Sequence, residues 1–205
     1  MLLRALRPAT GLVAFGLAMG LVGTGVAVAQ DVDAPEAPKT YDVVAPPDCT
    51  NNKGEVVTFV DREGGRRKIA AGMARRDGAG KPVVLRSNFA TAPPVFQGFV
   101  DRHECAHHQT GDVDRPHPPR NGPEHLMNES ISDCIAIMRL RDEQRYDKAG
   151  LDKVAAAMRN EMTKIGFPEI SISSRISNIT NCFKKTGTHV EYINTVLKRR
   201  GLLEQ

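Results

Sequence analysis

The hydrophobic pattern of this 205-residue chain changes its period at Pro94. Before Pro94, short runs of β-branched and aromatic residues are separated by glycine-rich turns, which is typical of strands. After Pro94, apolar residues recur at the spacing of helices. The pattern predicts strands at 56–60, 67–71 and 82–86 in a small antiparallel sheet, followed by helices in the rest of the chain. Strands that precede helices, rather than alternating with them, indicate an α+β fold.

The first 29 residues are typical of a secretory signal peptide. Arg4 and Arg7 precede an apolar run over residues 11–26, and the small residues 27–29 follow as a cleavage site. An uncleaved membrane anchor is the alternative, which the glycines of the run and its small-residue end disfavour. We therefore expect cleavage of residues 1–29 on export and no membrane span in the mature chain.

Removal of this segment leaves a chain of nearly neutral charge. The net charge falls from +4 to +2, because the segment contains two arginines and no acidic residue. So small a charge disfavours a nucleic-acid partner. Residues 30–47 are rich in proline and alanine and lack a hydrophobic period, which predicts a flexible leader. Residues 48–205 are then expected to form a single domain.

The clearest chemistry lies in His103-Glu104-Cys105-Ala106-His107, an H-E-x-x-H sequence on the first predicted helix. A spacing of four residues places the two imidazoles one turn apart on the same face, where both can bind one Zn²⁺. Glu104 then lies beside the metal without binding it. Its carboxylate can take a proton from a zinc-bound water and pass it to a leaving amine, which is general base and acid catalysis of hydrolysis.

A second predicted helix, which begins at Pro123, supplies the third ligand. A catalytic zinc takes three protein ligands and keeps one position open. Glu129 is the expected ligand, and Asp133, four residues further on, lies on the same face. Asp133 is placed to accept a hydrogen bond from the outer ring N–H of a zinc-bound histidine. Glu124 is the alternative ligand, but it lies on a different face of the helix from Asp133.

These two segments resemble the gluzincin metallopeptidases. Residues 99–108 with Gly111-Asp112 are similar to the H-E-x-x-H segment of that clan, and Glu129-Ser130-Ile131-Ser132-Asp133 is similar to its E-x-x-x-D segment. The short interval between them looks more like the small minigluzincin domains than like full thermolysin. The resemblance covers roughly residues 81–146, and one departure is Ser132, where many relatives carry alanine.

The resemblance implies a zincin-like domain with one catalytic zinc that hydrolyses peptide bonds. It also implies that the strand at 83–85 is an edge strand along which an extended substrate binds. No motif supplies the group that stabilises the oxyanion, so we expect a donor from the C-terminal helices. The candidates are Arg175, His189 and Tyr192.

Four cysteines remain after signal cleavage, namely Cys49, Cys105, Cys134 and Cys182. An even number in an exported chain is typical of disulfides. Helix geometry turns Cys105 and Cys134 away from the predicted zinc, so a thiolate-rich metal site is the less favoured alternative. We predict two disulfides and no free thiol, with Cys49 and Cys182 each pairing with one of the cysteines on the ligand helices.

The sequence therefore indicates an exported zinc metallopeptidase, periplasmic or extracellular in a bacterium, whose substrate is a peptide or protein of the cell envelope. The alternative is a catalytically silent module in which zinc stabilises the fold and the strand at 83–85 binds a peptide or protein. Glu104 favours the enzyme, because a structural zinc site needs no base and is usually closed by a fourth protein ligand.

Overall fold

The computed structural model describes residues 39–64 and 69–204. The predicted signal peptide and the first part of the predicted leader lie outside these residues. Strands precede helices in the described chain, so the α+β prediction is confirmed. The strands are β1 (Thr58–Arg62), β2 (Ala71–Arg76) and β3 (Pro82–Ser87), and the helices are α1 (Pro94–Gln109), α2 (Pro123–Gln144), α3 (Lys148–Lys164), α4 (Glu169–Phe183) and α5 (His189–Arg199).

The sheet is mixed, and the prediction of an antiparallel sheet is wrong for one of its two pairings. The strand order is β1-β3-β2, with β1 parallel and β2 antiparallel to β3. β2 and β3 form a hairpin, because the side chain of Asp77 accepts hydrogen bonds from the Ala79 and Lys81 N–H groups across the turn. β1 then occupies the other side of β3. Both Val83 and Val84 are buried, as expected for the central strand.

Two further predictions about the sheet need correction. The strand at 83–85, expected at an edge, lies in the centre with hydrogen-bonded neighbours on both sides. The edge beside the helices is β2 instead. β2 begins at Ala71, the last residue of the predicted strand at 67–71, of which residues 67 and 68 lie outside the described residues. The apolar residues there are too few to mark the position of the strand.

The main apolar core lies among the first four helices, with α2 at its centre. Every residue of α2 from Ser132 to Leu140 is buried, so this half of the helix lies inside the core. The largest fully buried apolar side chains are Phe99, Ile135, Ile137, Met138, Leu140, Met158, Ile172 and Ile179. A second apolar cluster joins Ala106 of α1 to Ile135 of α2 and to Ile193 and Leu197 of α5. Packing around Ala106 brings α1 and α2 together beside His107.

Both predicted disulfides are present. Cys49 pairs with Cys105 and Cys134 pairs with Cys182, so each ligand helix is tied to a segment distant in sequence. This confirms the expected pairing of Cys49 and Cys182 with the helix cysteines. No cysteine is left as a free thiol, so the alternative of a thiolate-rich metal site is wrong.

The described end of the predicted leader lies against the domain. The Val44 N–H donates to Oε1 of Gln97 at 2.9 Å, and the Val44 carbonyl accepts from Nη2 of Arg86 at 2.6 Å. The Tyr41 N–H donates to the Ala90 carbonyl. Contacts with the domain therefore begin several residues before the predicted boundary at residue 48. None of the helices in the described residues is both long and apolar enough for a membrane span.

Candidate metal site

Helices α1 and α2 bring the three predicted ligands together. The Nε2 atoms of His103 and His107 are 3.2 Å apart. They lie 3.5 Å and 3.4 Å, respectively, from the two carboxylate oxygens of Glu129. One ligand atom from each of the three residues lies within 4.8 Å of the others, so this group could hold a metal ion.

The two histidine nitrogens have the spacing of a tetrahedral site. Two atoms bound to one tetrahedral ion at about 2.0–2.1 Å are roughly 3.3–3.4 Å apart. The Nε2 atoms of His103 and His107 are 3.2 Å apart, which is close to that value. Each of these nitrogens has a different oxygen of Glu129 as its near neighbour, so the carboxylate can approach an ion between the histidines through either oxygen.

The outer nitrogen of His103 is held by a buried carboxylate. Nδ1 of His103 lies 2.9 Å from Oδ1 of Asp133, whose side chain is 1% exposed. Arg175 of α4 donates from Nε to the other oxygen of Asp133 at 2.7 Å. Because Asp133 is paired with an arginine it is ionised and can only accept, so Nδ1 of His103 carries the proton and Nε2 is free to bind a metal.

His107 has a similar chain of contacts on the other side of the site. Its Nδ1 lies 3.0 Å from Oδ2 of Asp112 and 3.2 Å from Oγ of Ser132. Oδ2 of Asp112 also accepts from the Thr110 hydroxyl, and Oδ1 accepts from Nη1 of Arg200 at 2.6 Å. The roles of Asp112 and Arg200 were not predicted from the sequence. Asp112 follows the motif closely and could have been suspected, whereas no local pattern points to Arg200.

The charges around the site favour a bound cation. Burial lowers the pKa of His103, but hydrogen bonds to Asp133 and Glu129 outweigh it and raise this pKa to about 10. Burial likewise lowers the pKa of His107, and its hydrogen bonds to Asp112 and Glu129 raise it to about 9. Burial raises the pKa of Glu129, yet the two histidines hold it well below its usual range. At neutral pH the cluster therefore takes up positive charge, as protons or as a metal.

Glu104 lies between the metal group and the sheet. Its Oε2 accepts a hydrogen bond from the Ala74 N–H of β2 at 2.7 Å. The close approach depends on Gly72, since a Cβ there would lie 2.4 Å from Cγ of Glu104 and 2.8 Å from Val100. The Ala74 N–H donates to Glu104 and not to β3, so this N–H points out from the free edge of β2.

A cavity of about 430 Å³ opens beside the metal group. Its walls are β2, the ends of α1 and α2, and the loop between these helices, and they include His103, Glu104, His107, Glu129, His117, Arg120 and His125. His117 and Arg120 have no carboxylate partner among the described residues. Nδ1 of His125 is buried without a hydrogen-bond partner there. A second cavity continues along β2 past Met73 and Arg75.

The alternative metal ligand and two of the three oxyanion candidates lie away from the ligand group. Glu124, the alternative ligand, is bonded to Arg115 at 2.8 Å and does not line the cavity. Arg175 lies 3.9 Å from Glu129, although its two short contacts are with Asp133. His189 is bonded to Asp142, and the ring of Tyr192 lies under Nζ of Lys185. Of the three oxyanion candidates, Arg175 is the one that contacts the metal-site residues.

Comparison of the chain with protein-family models, with curated proteins and with solved structures finds no match. The resemblance to gluzincins therefore stays a prediction from the two motif segments. The geometry of the cluster on α1 and α2 is the basis for the function proposed below.

Proposed function

We propose that the protein is an exported zinc metallopeptidase of the gluzincin kind. The observation that supports it best is the convergence of Nε2 of His103, Nε2 of His107 and the Glu129 carboxylate into a group that could hold one metal ion. Two imidazoles and one carboxylate form a donor set typical of catalytic zinc. Zinc held there would polarise a bound water and a substrate carbonyl.

The site has the open character that catalysis requires. No fourth His, Cys, Asp or Glu of the described residues belongs to the ligand group. All three proposed ligands line the cavity, so a metal held by them would be open to a space that a substrate can enter. A structural zinc site would instead be closed by protein ligands.

Glu104 is the proposed general base. It lines the same cavity as the ligands, and its hydrogen bond to the Ala74 N–H keeps the carboxylate at the cavity wall. In hydrolysis, the carboxylate of Glu104 takes a proton from the attacking water and then delivers it to the leaving amine, which departs as the peptide bond breaks. Arg175 lies 3.9 Å from Glu129, but its guanidinium is paired with Asp133 and does not line the cavity, so we assign it to holding Asp133 rather than to stabilising the oxyanion.

The free edge of β2 is evidence in favour of a peptide as the substrate. β2 has a hydrogen-bonded neighbour on one side only, and its other side borders the cavity that contains Glu104. An extended peptide can add to such an edge through backbone hydrogen bonds. This role, predicted for the strand at 83–85, is better suited to β2. The two disulfides suit an oxidising compartment, consistent with export to a periplasm or an extracellular space.

The test separates metal binding from hydrolysis. Glu104→Gln should keep one zinc per chain and lose cleavage of cell-envelope proteins, because an amide cannot accept the proton of the water. Glu124→Gln is the matched control, since Glu124 is an exposed glutamate paired with Arg115 outside the cavity. His103→Ala and Glu129→Ala should each lose zinc.

Three results would contradict parts of the proposal. Zinc retained in both His103→Ala and Glu129→Ala would refute the ligand set. Equal cleavage by Glu104→Gln and the unaltered protein would refute the mechanism. An unaltered protein that binds zinc and captures envelope peptides without cleaving them would favour the alternative, a catalytically silent binding module.

A further inference from the structure

We infer that Arg200, just after the end of α5, is a positioning residue that sets the metal affinity of the site through Asp112 and His107. The inference rests on the proposed metal site and goes beyond it, because it assigns a role in metal binding to the C-terminal end of the described chain. Arg200 lies 88 residues from Asp112 in sequence.

Arg200 makes three polar contacts at the site. Nη1 donates to Oδ1 of Asp112 and to the Thr110 carbonyl, each at 2.6 Å, and Nη2 donates to Oδ1 of Asn128 at 2.8 Å. Its side chain is 9% exposed. The guanidinium therefore links the end of α1, the residue that holds His107, and the first half of α2.

The two aspartates that contact the ligand histidines lie on backbone elements of different rigidity. Asp133 belongs to the buried part of α2, so the helix backbone fixes its position. Asp112 follows Gly111, whose φ of 77° turns the chain after α1, and it lies in a single 3-10 turn. A short turn fixes a side chain less firmly than a buried helix does. Arg200 supplies the missing constraint on Asp112.

The constraint matters because Nδ1 of His107 has two neighbours with different chemistry. The Asp112 carboxylate only accepts, so contact with it keeps the proton on Nδ1 and leaves Nε2 free for a metal. The Ser132 hydroxyl, 3.2 Å from the same nitrogen, can also donate. If Asp112 turns away, a hydroxyl that donates to Nδ1 leaves the proton on Nε2, the atom that must bind the metal. Loss of Arg200 should therefore weaken metal binding without removing a ligand.

The experiment measures zinc affinity by competition with a chromophoric chelator, on the purified protein. Arg200→Ala should bind zinc about 10- to 100-fold more weakly than the unaltered protein, the usual effect of removing a group that orients a ligand. Arg200→Lys should recover part of this loss, since one ammonium can contact Asp112 without also bridging to Asn128. Arg199→Ala is the matched control, because Arg199 is its exposed neighbour in the same turn, and it should bind zinc as the unaltered protein does.

A second comparison tests whether Arg200 acts through Asp112. Asp112→Asn should lose affinity to a similar degree, and the double variant should bind zinc within about twofold of Asp112→Asn alone. The visible absorption of the Co²⁺ form should change in Arg200→Ala and stay the same in Arg199→Ala, because it reports the geometry of the ligands. If Arg200→Ala does not fold, Arg200→Lys and Asp112→Asn provide the same comparison.

Two outcomes would overturn the inference. A folded Arg200→Ala variant with unchanged zinc affinity would show that Arg200 does not act on the metal site. Independent losses that multiply in the double variant would show that it does not act through Asp112. If instead the unaltered protein bound neither zinc nor Co²⁺, the proposed function itself would fail, and the inference with it.

Discussion

The carboxylate of Glu104 on α1 accepts a hydrogen bond from the Ala74 N–H of β2 at 2.7 Å. This contact joins the helix that carries the proposed ligands to the free edge of the sheet. It places the proposed base and the proposed substrate-binding edge within hydrogen-bonding distance of each other. Gly72 makes the contact possible, because any side chain at this position would overlap Glu104.

We predict that Gly72→Ala separates zinc binding from hydrolysis. The added Cβ would lie 2.4 Å from Cγ of Glu104, so either the base or β2 must move. A displacement of about 1 Å at a catalytic group can lower activity about 100-fold. Zinc stoichiometry should stay the same because no ligand is affected. Zinc content and the rate of peptide hydrolysis, measured on the same preparation, check this prediction.

The control for Gly72→Ala is Gly78→Ala in the β2–β3 turn. A Cβ at Gly78 meets nothing within 4 Å, so this substitution should leave hydrolysis unchanged. Full activity in Gly72→Ala would show that the contact between Glu104 and β2 has no catalytic consequence.

A second prediction concerns Asp101, a carboxyl buried two residues before His103. Its side chain is fully buried, and Oδ1 lies 3.0 Å from Nε of Arg86 without the alignment of a hydrogen bond. Burial raises the pKa of Asp101 to about 7, although Arg86 and Arg102 oppose this effect. The folded state therefore binds more protons than the unfolded state between about pH 4 and pH 7. The free energy of unfolding should fall as the pH rises through this range.

Asp101→Asn should remove this contribution, because asparagine stays neutral at every pH. The variant should match the unaltered protein near pH 4 and exceed it in stability at pH 8, by at most on the order of 4 kcal/mol. Urea unfolding at several pH values, with a chelator present, measures the difference. Asp61→Asn is the control, since that carboxylate also contacts Arg86 but is 62% exposed. A pH-independent difference between Asp101→Asn and the unaltered protein would contradict the assignment.

The third prediction concerns the disulfide between Cys49 and Cys105, which closes a loop over a separation of 56 residues. In the chain-entropy model, a loop of this size stabilises a domain by about 4 kcal/mol. Replacing both cysteines by alanine should lower the free energy of unfolding by about this amount. The same replacement should also lower the apparent zinc affinity. Cys105 lies between His103 and His107 on α1, so loss of the bridge lets this part of the helix move. Denaturant unfolding and zinc titration measure the two effects.

Thiol titration provides the accompanying check. The denatured, unreduced protein should contain no reactive thiol, since all four cysteines are paired. Two or more free thiols in the unaltered protein would contradict the pairing. Replacing Cys134 and Cys182 by alanine provides a comparison for the free energy of unfolding. The bridge between these two cysteines closes a loop of similar length, between α2 and α4.

Local spacing was sufficient to predict the helices and the convergence of His103, His107 and Glu129, a group that could hold a metal ion. His103 and His107 share a helix face because they are four residues apart, and Pro123 begins α2 where its fixed φ predicts a helix start. Spacing could not predict the strand order, because the parallel pairing of β1 with β3 depends on contacts between segments separated by β2. It also could not reveal Arg200, whose contact with Asp112 arises only from the packing of α5 against α1 and α2.

Arg175 illustrates the same limit. It is one of three predicted donors to the oxyanion, but in the structure its guanidinium is paired with Asp133, which contacts Nδ1 of His103. Helical spacing within α4 contains no information about which helix that face contacts. The partner of a charged side chain is therefore predictable only when both groups lie on one element or on elements joined by a short turn.

The last prediction concerns the charge of Arg120 in the wall of the cavity. Arg120, on the loop between α1 and α2, lines the cavity and has no carboxylate partner among the described residues. The acidic side chains of this wall have other partners, since Asp112 is bonded to Arg200, Glu129 to both histidines and Glu104 to the Ala74 N–H. An acidic substrate side chain beside the scissile bond would supply the missing charge. We therefore expect cleavage to favour peptides with Asp or Glu next to the bond over matched peptides with Asn or Gln.

Arg120→Gln should reduce this preference several-fold, and Arg115→Gln should not, because Arg115 belongs to the same loop but is paired with Glu124. Rates on matched acidic and amide peptides at low and high salt measure the effect. Added salt should weaken the preference in the unaltered protein and in Arg115→Gln, since exposed charges are screened over a distance of about 10 Å at 0.1 M salt. Equal selectivity in Arg120→Gln and the unaltered protein would show that the charge of Arg120 does not select the substrate. If Arg120→Gln and Arg115→Gln both lost all cleavage, the conformation of the loop, rather than the charge of Arg120, would be what the cavity requires.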